Sequence, residues 1–209
     1  MEQGLTYNVI KKEGASEIVV TKSRFIGLLV SVSDPSEAEA YIAQIKKKYH
    51  DARHNCWAYV ILEENGCISR SSDDGEPSGT AGRPILSVME GAGLVNALCI
   101  VTRYFGGVLL GTGGLVRAYT DAAKAALEDA DIDSIKPGTL IKLSFDYADE
   151  PMIRRFAENT GFFVTGSGYA EKVTFELTGP RDRAEGFISG IRDMTAGKVV
   201  PENAGEIYY

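Results

Sequence analysis

Apolar residues alternate with polar ones through the first thirty or so positions, and this patterning predicts strands over Leu5–Lys12, Ser16–Lys22 and Arg24–Val32, with a turn around Gly14. Asp34-Pro35 then marks a helix start, because proline's fixed φ suits the first helical turn. Ala38, Tyr41, Ile42, Ile45 and Tyr49 follow at the spacing of one buried helical face, which leaves Lys46, Lys47 and Lys48 toward water. Two β-rich runs, Cys56–Leu62 and Cys67–Ser72, flank Asn65-Gly66, a pair suited to the positive φ angles of a tight hairpin turn. The hairpin so predicted pairs Glu64 with Cys67, Leu62 with Ser69 and Val60 with Ser71, which holds Cys56 well away from Cys67.

Beyond the hairpin the periodicity stops over Ser72–Pro84 and resumes as a short helix, a buried strand over Ala97–Tyr104, a glycine-rich turn and a helix from about Gly113 to Ala130. Leu115, Val116, Tyr119, Ala122, Ala123, Ala126 and Leu127 form the apolar stripe of that last helix. Asp131–Gly138 reads as a linker, with Pro137-Gly138 as its clearest break. The remainder reads as strand (Thr139–Asp146), helix (Asp149–Thr160), strand (Gly161–Ser167), strand (Tyr169–Thr178), helix (Arg181–Met194) and strand (Lys198–Glu202). That βαββαβ order is the ferredoxin-like arrangement.

A chain of 209 residues divides most naturally into two compact units, and 44% hydrophobic residues supply both cores. The net charge of -7 argues against coating nucleic acid or an anionic membrane through bulk electrostatics. Local arginines at Arg53, Arg70, Arg83, Arg103 and Arg117 keep a phosphate contact open. Met1–Ile10 lacks the pattern of a signal peptide and no apolar run reaches membrane-spanning length, so a cytosolic protein with no membrane partner is expected. Cys56, Cys67 and Cys99 make an odd count without a CxxC pair, as expected of reduced thiols packed as small apolar groups.

Two loops carry the candidate chemistry. The first, Ser71–Pro84, concentrates Asp73, Asp74 and Glu76 with hydroxyls and glycines; the carboxylates offer hard oxygen ligands to a divalent cation and the glycines let backbone N–H groups approach an anion. The alternative is structural: Asp and Ser side chains build successive turns, and Thr80 or its neighbours cap the next helix. An EF-hand spacing and a Gly-x-Ser-x-Gly elbow are both absent around Ser78. The second loop, Thr102–Arg117, runs from a strand end through Tyr104, Phe105, Gly106 and Gly107 into a helix. It lacks the lysine of a P-loop after Gly111 and the third glycine of a dinucleotide fingerprint at Val116. Arg103 and Arg117 are candidates to clamp a phosphate or carboxylate, against the alternative of an Arg117–Asp121 helix pair. Tyr104 and Phe105 are candidates to stack on a base or to join the core. His50, His54 and Cys56 give only a weak metal pattern, since no fourth ligand lies nearby.

These blocks, Asp73-Asp74-Gly75-Glu76-Pro77-Ser78-Gly79-Thr80-Ala81-Gly82 with Thr102-Arg103-Tyr104-Phe105-Gly106-Gly107 and Gly111–Tyr119, resemble the IMPACT family, as do Lys22-Ser23-Arg24-Phe25-Ile26 and His54-Asn55-Cys56. The resemblance covers residues 1 to about 135, and the rest is similar to the small C-terminal domain of bacterial members. It implies an α+β protein: a first domain, 1–135, with the ribosomal protein S5 second-domain fold, and a ferredoxin-like second domain, 139–209. The pairing resembles the last two domains of translocating elongation factors, a fold-level analogy with the ribosome. The resemblance implies eukaryotic relatives that regulate translation by restraining a stress-responsive kinase through an additional N-terminal domain, for which a chain of this length is expected to have no room. The resemblance carries over no catalytic residues and no cofactor. The reading is a non-enzymatic cytosolic regulator that binds RNA or a protein of the translation machinery. The rival is an enzyme or small-ligand binder that holds a phosphorylated molecule, with or without a divalent cation, between the two loops. For either, the candidate ligand-binding residues are Asp73, Asp74, Glu76, Ser78, Thr80, Arg103, Tyr104, Gly106, Gly107 and Arg117.

Overall fold

In the computed structural model, which describes residues 6–63 and 66–209, the architecture is mixed α+β and divides into two units, Tyr7–Ser134 and Ile135–Tyr209. The elements of the first unit are β1 (Tyr7–Lys12), β2 (Gly14–Val20), β3 (Ser23–Ser31), α1 (Pro35–Lys48), β4 (His54–Glu63), β5 (Gly66–Ser72), α2 (Gly82–Gly91), β6 (Ala97–Tyr104), α3 (Gly111–Asp129) and β7 (Asp131–Ile135). Five strands form one antiparallel sheet in the order β2-β3-β6-β4-β5.

Strand β6 occupies the middle of this sheet and is buried from Ala97 through Arg103, which is why its sequence reads as an apolar run instead of an alternation. Alternate side chains still go to opposite faces. Leu98 and Ile100 join Val30, Val32, Tyr59 and Ile61 under α1, whose Ala38, Ile42 and Ile45 complete that core. On the other face α2 and α3 cover β2, β3, β4 and β6. Helix α1 starts where Asp34 Oδ1 accepts the Glu37 N–H at 2.9 Å, while Glu37 Oε2 reaches back to the Ser33 N–H at 2.6 Å. One orphan amide of the first turn, that of Glu37, is thereby satisfied, and the Ser33 amide just before the cap is tied to the helix.

Several readings of the sequence change. The β4–β5 hairpin pairs Glu63 with Gly66, Leu62 with Cys67 and Val60 with Ser69, two residues out of the register expected from an Asn65-Gly66 turn. A two-residue slip keeps every side chain on its face, so the sequence pattern tolerates either pairing. Cys56 and Cys99 are buried as small apolar groups, but Cys67 is exposed on the edge strand β5, which corrects the expectation that all three thiols are packed. The Glu64–Cys67 pair itself, the Asn65 half of that turn and the Leu5 start of β1 lie outside the described residues. Asp131–Ile135, read as linker, is strand β7, which pairs with β1 and is tied to it by the Ser134 hydroxyl donating to Asn8 Oδ1 at 2.8 Å. Pro137-Gly138 opens a strand instead of marking a break; proline suits a first strand position, where its missing N–H need not break the ladder.

The second unit contains β8 (Pro137–Phe145), α4 (Glu150–Thr160), β9 (Phe163–Tyr169), β10 (Val173–Pro180), α5 (Ala184–Met194) and β11 (Glu202–Tyr208). Its antiparallel sheet has the order β11-β8-β10-β9. Helices α4 and α5 supply Ile153, Ala157, Phe187 and Ile191 to a core built on Ile141, Phe145, Phe175 and Leu177. The βαββαβ element order is present, but the last strand is displaced: β11 begins at Glu202, the residue at which the expected strand Lys198–Glu202 ends.

Candidate functional site

Strand register brings the two singled-out loops to one end of the five-stranded sheet. Arg103 on β6 stands directly between Phe25 on β3 and His54 on β4. These residues share a face with Cys56 and Val101, so the end of the sheet presents a cation, an imidazole and a thiol toward α3. Tyr119 reaches the same place from α3, its ring edge-on to Phe25 at 5.2 Å between centroids.

The acidic loop then folds over this end, and its three carboxylates go to three different places. Glu76 turns inward: its Oε1 accepts from Arg103 Nη1 at 2.6 Å and from the Tyr119 hydroxyl at 2.8 Å, and lies 3.9 Å from His54 Nε2. Both charged side chains are nearly out of water, at 6% exposure for Arg103 and 3% for Glu76. Asp73 serves the backbone, accepting N–H bonds from Gly79, Ala81 and Gly82 at 2.8–2.9 Å. Asp74 crosses to the α1 side, where it accepts the Asn55 N–H at 2.7 Å and Lys46 Nζ at 2.6 Å. Carboxylates pointing apart cannot share one cation, and among the described residues no group of three His, Cys, Asp or Glu is placed to hold a metal.

The cap of α2 is a correction of the sequence reading. Thr80 is buried and its hydroxyl donates to the Pro77 carbonyl at 2.6 Å. The cap acceptor is Asp73, eight and nine residues upstream of the Ala81 and Gly82 amides it serves. Burial pushes the Asp73 carboxyl up, but three backbone N–H bonds outweigh it and hold it below its ordinary range. Lys46 is likewise more than part of a solvated face, since it neutralises Asp74.

Arg103 is held through both terminal nitrogens, while its buried Nε has no hydrogen-bond partner among the described residues. Its Nη2 lies 3.4 Å from Ser23 Oγ, and its guanidinium carbon is 5.4 Å from the Phe25 ring and 5.5 Å from the Phe105 ring. Ser23 Oγ also accepts the Gly106 N–H at 3.1 Å, which ties the glycine-rich turn to β3. Gly106 packs so closely on the Lys22–Ser23 backbone that a Cβ would overlap it, and Gly107 follows at φ +84°. The proposed Arg103–Arg117 clamp does not form: Arg103 is buried beside Glu76, whereas Arg117 is exposed two residues before Tyr119, about 200° round the helix. Among the described residues no ion pair joins Arg117 to Asp121 either.

The Tyr104 hydroxyl donates to Asp51 at 2.8 Å and its ring lies 4.8 Å beneath the Arg24 guanidinium, an arrangement that commits it to its neighbours. Ser78 is exposed. Cys56 is buried, its thiol donating to the Asp73 carbonyl at 2.9 Å, and desolvation with nearby carboxylates raises its pKa, which disfavours the nucleophilic thiolate. Ser23, Asn55 and Tyr119 complete the network. Asn55 Oδ1 accepts the Thr102 hydroxyl at 2.7 Å, on the α1 side of the sheet. Local patterning offers no signal for these contacts, because each joins segments more than forty residues apart. Beside the exposed Ser78 and Arg117, apolar side chains of the second loop also face solvent: Leu109 is 87% exposed, with Val108 and Phe105 partly so.

The segments that build this end of the sheet fall inside a region matching the Impact N-terminal domain, residues 21–127, while residues 143–198 match a domain of unknown function, DUF1949. The chain belongs to the IMPACT family. The IMPACT family member YvyE of Bacillus subtilis is 39% identical over 193 residues, which cover 92% of this chain and 88% of that protein. The IMPACT family member YigZ of Escherichia coli is 32% identical over 86% of this chain and 89% of its own length, making this a YigZ-like member. A crystal structure of a hypothetical protein superposes with a TM-score of 0.64 at 29% identity, covering 94% of this chain and 96% of that one.

Proposed function

We propose that this IMPACT family member is a non-enzymatic regulator that works by binding, with a protein or RNA of the translation machinery as its partner. The observation that carries the reading is the internal commitment of the charged groups. Glu76 and Arg103 neutralise each other at 2.6 Å, Asp73 is spent on three amides and Asp74 on Lys46, while Phe105, Val108 and Leu109 face outward. A reacting or phosphate-gripping centre needs free polar groups converging on a ligand, whereas outward apolar side chains on a glycine-anchored loop suit recognition of a macromolecule. The rival, a phosphorylated small molecule gripped between the loops, would have to break a buried ion pair to reach Arg103.

The translation assignment extends the role that the family resemblance implies for eukaryotic members. The S5-like and ferredoxin-like folds belong to the same proposal, the latter supported by the sheet order β11-β8-β10-β9. So does a cytoplasmic setting, which is compatible with the described helices, none of which is long and apolar enough to cross a membrane. The test is affinity purification of the tagged chain from lysate, with and without ribonuclease, beside Leu109→Asp and Arg117→Ala variants. Enrichment of ribosomal or translation components that falls with Leu109→Asp is expected. Failure to enrich any of them would sink the proposal.

A further inference from the structure

Helices α2 and α3 enclose a groove of about 690 Å³ on the first unit, open to solvent along one side. Its walls are two ridges at helical spacing: Pro84, Ser87, Val88 and Gly91 on α2, and Val116, Thr120, Lys124 and Leu127 on α3. Val116 belongs by periodicity to the core stripe of α3, yet it is 37% exposed and lines the groove. Between the apolar walls the positions are small. Gly91 has nothing within 4 Å of where a Cβ would stand, so a visiting backbone can come close.

Both charged residues that line the groove are basic, Arg83 and Lys124, on a chain whose net charge is -7. Arg83 has one loose, exposed partner in Glu90 at 3.7 Å, and among the described residues Lys124 has no ion pair. An open trough with apolar side chains and small residues along its walls and one basic residue on each wall matches an amphipathic helix with acidic flanks. An enclosed cavity would instead suit a small ligand, which needs most of its surface covered.

We infer that this groove is a docking site for an acidic amphipathic helix of a partner protein. The inference goes beyond the regulatory reading and stands even if purification finds no translation component, because its test uses no such component. The probe is a fluorescein-labelled synthetic helix with leucines at i, i+3, i+4 and i+7 and glutamates on both flanks, and its control replaces every glutamate with lysine. Binding is read by anisotropy against the full wild-type chain, Val116→Glu and Lys124→Glu, each verified as folded by circular dichroism. Both positions lie on the helix surface, where substitution spares the core.

Saturable binding of the acidic peptide is expected, weakened at least about tenfold by either substitution, with the lysine peptide gaining on Lys124→Glu what the acidic one loses. No saturable binding, equal binding of the two peptides, or variants that bind like wild type would each overturn the inference. So would a wild-type dimer in sedimentation that both substitutions dissociate, since the groove would then be covered by a second copy.

Discussion

Arg103 Nη1 donates to Glu76 Oε1 at 2.6 Å, joining a central strand to an irregular loop through two side chains that barely meet solvent. Removing one partner of such a pair leaves a buried charge uncompensated, a loss of about 3–5 kcal/mol, whereas replacing both with apolar residues of similar volume costs far less. Arg103→Ala should therefore lower the urea midpoint sharply, and Glu76→Leu combined with Arg103→Met should recover much of it. If Arg103→Ala leaves stability unchanged, the pair does not anchor the loop. Any binding defect in that variant must be judged against its folding first.

Asp73 makes the corresponding prediction for pH. Its folded carboxyl titrates below the ordinary range, so the stabilisation it provides is complete above about pH 4 and is lost as pH falls through the folded value. Asp73→Ala should cost about 1–2 kcal/mol near neutrality through the lost cap on α2, and the gap to wild type should close in acid. Denaturant melts of both proteins across pH 3–7 read this directly. A gap that stays constant in acid would mean the carboxylate charge is not what holds the cap.

The two adjacent glycines of the second loop should respond differently. Gly106→Ala forces backbone apart at Lys22 and Ser23, an overpacking cost of about 1–3 kcal/mol. Gly107→Ala meets open space and suffers only from its φ of +84°, for about 1–2 kcal/mol at most. Calorimetry should find Gly106→Ala the less stable of the two; the reverse order would show that the loop relaxes away from β3.

The cysteines predict a labelling pattern. Burial pushes the Cys99 thiol up to about 12 and raises Cys56 further, while Cys67 is exposed on β5. Iodoacetamide at pH 8 should modify Cys67 alone in the native protein and all three cysteines in denaturant, as read by mass spectrometry. Rapid native labelling of Cys56 would reveal opening of the acidic loop that covers it.

The elements were legible wherever periodicity and punctuation agreed. Asp34-Pro35 set the start of α1, the stripe from Leu115 to Leu127 set α3, and the βαββαβ order of the second unit follows from alternating periods. The loops were legible as unusual, because carboxylates and glycines without periodicity need a reason to be there. Their partners were not, since nothing local tells Glu76 that Arg103, Tyr119 and His54 will face it. Such contacts depend on strand order and register, and β6 becomes the neighbour of both β3 and β4 only when the sheet closes. Likewise the two-residue slip of the β4–β5 hairpin is invisible to a pattern of period two, and periodicity puts Val116 in a core stripe whereas it lines the groove. Local periodicity determined most of the helices and strands, though not β7 or the start of β8, and which residue types the loops bring. Only the tertiary structure decided that the charges of those loops face one another and that apolar side chains face the solvent, because both outcomes are set by contacts between segments distant in sequence.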